Sequence, residues 1–177
     1  MAATFEWDEA NGAGQTVTHT RTECNWKNID DSTTAYTSSP ITAGNNSYDK
    51  WQYGHFSGTY NQISNGYFDH TAGALGTGLT LKCQPTMTQD SDKLSYATPS
   101  TTANASLTKT ITSVNGSFPT GAAVVWFGAT GPTSTKTAST TSNPAYTNYL
   151  TTQLQTTGSA GAGDTATVTL TLRYYEN

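Results

Sequence analysis

The ten residues ahead of the C-terminal Glu-Asn pair alternate without a break. In Ala166–Tyr175 (ATVTLTLRYY), Val168, Leu170, Leu172 and Tyr174 fall on one side of an extended chain, and Thr167, Thr169, Thr171 and Arg173 on the other. A period of two with one apolar face describes a half-buried antiparallel strand; an amphipathic helix would repeat its apolar positions every 3.6 residues. Thr makes up about a fifth of the chain. Its branched Cβ is stiff at χ1 and sits well on a pleated, partly wet surface, so the composition favours strands throughout.

The same reading extends upstream. Tyr146–Gln155 fits a helical spacing through Tyr146, Leu150 and Leu154, and a strand spacing through Leu150, Thr152, Leu154 and Thr156. Neighbouring Thr residues and the Gly-rich link Gly158–Asp164 favour a strand that forms a hairpin with the final one. Asn104–Ser113 and Gly78–Cys83 also alternate, and Ala122–Phe127 is a short apolar run expected to be a strand buried on both faces. Tyr48–Tyr53, Gly54–Tyr60 and Gly66–His70 read as an aromatic meander, and Gln15–Thr22 as a Thr ladder. Gly131–Ser142 is polar and low in complexity and is expected to be a long exposed loop. No helix of three turns and no internal repeat stands out. Strand candidates every 10–15 residues, separated by turn signals, predict an all-β, antiparallel β-sandwich of jelly-roll type. At 177 residues the chain is the size of one domain. Residues 1–15 are expected to form an N-terminal arm or a first edge strand, and residues 16–177 the sandwich.

Charged residues are only 11% of the chain, with a formal net charge of −4. Eight scattered basic residues do not make a phosphate-binding surface, so nucleic acid is not expected as a partner. The chain contains no apolar run of about 18 residues, the length a membrane span needs. Its first residues, MAATFEWDEANGAG, have neither the basic nor the apolar region of a secretory leader. Cys24 and Cys83 are read as buried free thiols of a chain folded in a reducing cytoplasm.

Little in the sequence carries catalytic chemistry. The three histidines, His19, His55 and His70, show no HxH or HExxH spacing, so no metal site is expected unless separate strands assemble one. A nucleophile elbow is lacking, and Gly128–Gly131 is followed by Pro132 rather than by the Lys-Ser or Lys-Thr of a phosphate loop. Glu6 or Asp8 acting with Glu23 is the nearest approach to a carboxylate pair. The expectation is a non-enzyme without cofactor. Trp51, Tyr53, Phe56, Tyr60, Tyr67 and Phe68 crowd the middle third and are read first as core. The alternative is that Trp51 and Tyr53, with His55 along the same strand, form an exposed aromatic strip that stacks on sugar rings. The sequons at Asn45, Asn104 and Asn115 carry no weight in so Asn- and Ser-rich a chain.

Several segments together resemble small Thr- and Gly-rich virion structural proteins of tailed bacteriophages. The resemblance rests on Asn25–Asn28 (NWKN), Ser39–Tyr48 (SPITAGNNSY), Asn61–Ser64 (NQIS) and Phe68–Gly73 (FDHTAG). It continues in Tyr149–Thr157 (YLTTQLQTT), Ala160–Thr165 (AGAGDT) and the terminal ladder. It implies a β-sandwich subunit present in many copies on the virion, as a capsid decoration or cement protein on the outer surface of the major capsid protein. Self-association into a trimer or another ring would accompany that role. Phe5 and Trp7, alternating with Glu6 and Asp8, are the expected capsid or subunit contact, on an arm able to add a strand to another sheet. The alternatives are a receptor- or glycan-binding module of a tail fibre or spike, and a secreted adhesin or pilus-like subunit.

Overall fold

The computed structural model describes residues 3–60, 63–84, 96–111, 124–127, 145–161 and 167–176. Ten strands follow one another: β1 (Ala3–Asn11), β2 (Thr16–Thr18), β3 (Lys50–Gly58), β4 (Ile63–Ala72), β5 (Leu79–Cys83), β6 (Lys109–Thr110), β7 (Val124–Phe127), β8 (Ala145–Tyr146), β9 (Leu150–Thr156) and β10 (Thr169–Glu176). A single 3-10 turn, Tyr36–Ser38, is the one helical element among the described residues, and none is long and apolar enough to cross a membrane. The all-β, antiparallel, sandwich-like architecture is the expected one.

The large sheet runs β2-β1-β3-β9-β5-β6, with β8 also paired to β3; the small sheet runs β10-β4-β7. Their facing sides share one core. Phe56 from β3, Ile63 and Phe68 from β4, Leu81 and Cys83 from β5 and Leu150 from β9 are buried in it. Phe5, Trp7, Leu170, Leu172 and Tyr174 pack against it. The terminal ladder therefore does what its alternation predicts: its apolar face meets the core. Glu176 at its end accepts a bond from the Ala3 backbone N–H, 2.9 Å away, which ties the two chain ends together.

Five expectations need correction. The first concerns residues 1–15, expected as an arm or a first edge strand: residues 3–11 are a strand, but an inner one. β1 lies within the large sheet, antiparallel to β3 over eight residue pairs from Ala3↔Gly58 to Ala10↔Trp51, with β2 on its other side from Glu9 to Asn11. Phe5 and Trp7 are consequently spent on the core: Phe5 meets Phe56 at 5.1 Å and Trp7 meets Phe68 at 6.0 Å between ring centroids. Second, Trp51 and Tyr53 do share a face with His55, but that face is not an open strip. Tyr149, Tyr96 and Tyr146 cover it, and Tyr53 is only 1% exposed. Third, the β9–β10 hairpin does not form. β9 pairs with β3 and β5, and β10 pairs with β4, so the two strands belong to different sheets.

Fourth, the aromatic meander is split. β3 runs straight through Gly54, and β4 belongs to the other sheet. Fifth, Asn104–Leu107 is a turn rather than a strand. Asn104 donates to Asp49 and accepts from the Ser106 N–H, a local bond that competes with the ladder, so among the described residues of Asn104–Ser113 the strand is Lys109–Thr110, and Thr112 and Ser113 lie outside them. The Thr ladder of Gln15–Thr22 likewise keeps only Thr16–Thr18 as strand. Ala122–Phe127 contributes β7; its side chains, Ala122, Ala123 and the loop Gly131–Ser142 lie outside the described residues.

Candidate functional site

β1 and β3 divide their side chains between two faces, and each face carries a buried carboxylate. On the inner face Glu9 lies with Lys50 and Gln52, all nearly inaccessible. Lys50 Nζ donates to Glu9 Oε1 at 2.9 Å, Asn11 Nδ2 to the same oxygen at 3.1 Å, and Gln52 Nε2 to Oε2 at 3.3 Å. Lys50 also reaches the Asp31 carbonyl at 3.0 Å. Asp31 in turn holds buried Lys27 at 2.6 Å and accepts from the Thr33 and Thr34 N–H groups. Partial desolvation would raise the Asp31 pKa, but Lys27 and these donors outweigh it and hold the carboxyl well below the usual carboxylate range. This network pins the irregular segment between β2 and β3 to the sheet.

The outer face carries Asp8, paired across the strands with Tyr53 and wholly buried. Period two places Glu6 beside it, and register places Glu6 opposite His55. His19 follows β2 and turns back onto the same carboxylate, with Nδ1 2.9 Å from Asp8 Oδ2. Thr20 holds the turn: its φ is 55°, a left-handed conformation costly for a β-branched residue, and its N–H donates to Asp8 Oδ1 at 3.2 Å. His55 Nδ1 lies 3.5 Å from Glu6 Oε2 and 3.7 Å from Asp8 Oδ2, buried and without a hydrogen bond. The ligating atoms of Asp8, His19 and His55 all lie within 4.8 Å of one another. Tyr53 also bonds Asp8; burial and then the Asp8 charge push its phenol well above the ordinary value.

This cluster was not legible as a motif, because its members come from three places in the chain and meet only through strand register. Of the other residues considered, His70 is buried and its Nε2 donates to the Ala72 carbonyl at 2.8 Å. Glu23 accepts from Asn25 rather than joining Glu6 or Asp8 as a carboxylate pair. Cys24 and Cys83 are free thiols; burial is the largest influence on each and pushes each pKa up to about 12.

A second feature is a groove of about 350 Å³ whose walls include Arg21, Asn25, Trp26, Tyr36, Leu170 and the rim residue Glu23. It combines aromatic faces with donors and acceptors, the equipment of a site for a polar ring. Trp26 is fixed there by its Nε1–H bond to Thr152 at 3.1 Å.

Set against known protein families, curated proteins and solved structures, the chain matches none.

Proposed function

We propose that this chain is a non-enzymatic virion structural protein, a capsid decoration or cement protein that binds the outer surface of the major capsid lattice as a trimer or another ring. The resemblance of its Thr- and Gly-rich segments supplies the family. The structural observation that carries the reading is where the charges go. Among eight basic and twelve acidic residues, Asp8, Glu9, Lys27, Asp49 and Lys50 are buried in polar networks. An exterior so depleted in charge, and rich in Thr, Ser and Asn, can meet a repeated lattice with little ion desolvation. Many weak copies of such a contact add up through multivalency. The contact surface is not the Phe5–Trp7 pair, whose rings face the core. Assembly in the host cytoplasm and residence on the capsid exterior follow from this role.

The test is copy number in purified virions, by quantitative mass spectrometry against the major shell protein. Hundreds of copies in fixed ratio to the shell support decoration. A few to a few tens move the chain to a fibre or spike, and absence ends the virion reading.

One observation favours a second reading, a glycan-binding module of a tail fibre or spike. The groove lined by Trp26, Tyr36, Arg21 and Asn25 offers stacking and hydrogen bonding together, which buried Trp51 and Tyr53 do not. Host polysaccharide should then shift the intrinsic tryptophan fluorescence, and Trp26→Phe should reduce the shift. The adhesin reading would be supported by an upstream signal sequence or by a Cys24–Cys83 bridge, and both thiols are free.

A further inference from the structure

We infer that Asp8, His19 and His55 form a binding site for one zinc-type divalent transition ion, with Glu6 at its edge beside His55. Three groups of the right chemistry converge from three segments: two imidazoles and a carboxylate, the borderline nitrogen and oxygen donors that such ions prefer. Spacing fits as well. Tetrahedral ligands about 2.0–2.2 Å from a zinc ion stand about 3.3 Å apart. The Asp8–His19 and Asp8–His55 separations of 2.9 and 3.7 Å straddle that value, and the two imidazole ligand atoms lie within 4.8 Å of each other. An ion would enter by opening the first slightly and closing the second.

Three further details point the same way. His55 Nδ1 is a buried nitrogen without a hydrogen bond, an arrangement that costs stability unless something occupies it. It faces two carboxylate oxygens at distances too long for good hydrogen bonds and suited to a shared ion. Asp8 is already oriented from outside the ligand set by the Thr20 N–H and the Tyr53 hydroxyl, the kind of support that ligating carboxylates carry. Finally, Thr20 is held at φ 55°, a strained conformation whose effect is to bring His19 onto the cluster. Ligation through Nδ1 leaves each imidazole proton on Nε2, and the His19 ring, 63% exposed, can present that proton to water. Three protein ligands tie β1, β3 and the segment after β2 together and leave a fourth position for water.

The test is titration of the chelator-treated full-length protein with Zn2+ and Co2+, by calorimetry and by the visible absorption of four-coordinate Co2+. The expected result is one ion per chain, a rise in melting temperature on binding, and affinity weakened at least about tenfold by His19→Gln and by His55→Gln. Glu23→Gln, outside the cluster, should bind like the parent. His19→Gln is the decisive variant, because an exposed ring can be replaced with the fold intact, checked by circular dichroism. Absence of binding by the folded parent overturns the inference. So does binding that His19→Gln and His55→Gln leave unchanged.

Discussion

Asp8 and Glu9 are neighbours in sequence and opposites in setting. Each is a carboxylate almost wholly removed from water on the same strand, β1. Glu9 faces inward and is matched: a lysine, a glutamine and an asparagine fill its lone pairs, and Lys50 itself is satisfied by the Asp31 carbonyl. Asp8 faces outward and, besides the fixed Thr20 N–H and Tyr53 hydroxyl, meets two histidines, one exposed and the other with a ring nitrogen lacking a hydrogen bond. The comparison teaches that burial alone does not mark a functional carboxylate. A closed set of fixed partners is architecture; an open set of exchangeable partners is a site.

The largest effect should come from breaking the closed side. Lys50→Met strands the Glu9 charge in the interior and should cost about 3–5 kcal/mol in urea denaturation. The double variant Lys50→Met/Glu9→Leu should recover much of that loss, and a double as unstable as the single would show that Glu9 is not held chiefly by its ion pair. On the other face the effects should be smaller. Tyr53→Phe removes one bond to the Asp8 carboxylate and should cost about 1.5–3 kcal/mol, with the ring packing against Tyr149 retained. His19→Gln, measured in chelator, should cost under about 1 kcal/mol because its ring is mostly in water. Should His19→Gln rival Lys50→Met, the two faces would be equally structural and the contrast would fail.

The smallest effect is a pH dependence that sharpens the closed side. Asp31 has its pKa lowered in the fold, so its contribution is fully present above the unfolded carboxylate value of about 3.9 and fades as pH falls below it. Lys27→Met should flatten the acid limb of the stability curve in that window. An unchanged acid limb would place the acid sensitivity elsewhere.

Local periodicity made much of this fold readable. β5 and β10 follow from alternation, because a sheet with one buried face writes its period directly into the chain, whereas β9, buried on both faces over Leu150–Leu154, was readable only from its Thr content and the link after it. Partner choice was not readable. Gly78 shows why: it has φ +78°, and a Cβ there would stand 2.6 Å from Thr157 Oγ1 and 2.8 Å from the Ala160 backbone nitrogen. That close junction after β9 belongs to the turn that sends the chain away from a hairpin, and contacts of this kind leave no periodic trace. The aromatic cluster was legible as core but not as covered by Tyr96 and Tyr149, residues distant in sequence. The Asp8 site was least legible, since Glu6 and Asp8 signal only two acids on one strand face. Their histidines arrive through antiparallel register with β3 and through the left-handed turn at Thr20.

The two thiols have a consequence for how the molecule ages. Burial pushes both thiols up to about 12 and so disfavours the thiolate, the form that reacts with oxidants and disulfides, at neutral pH. Both thiols should therefore oxidise more slowly in air than an ordinary exposed cysteine.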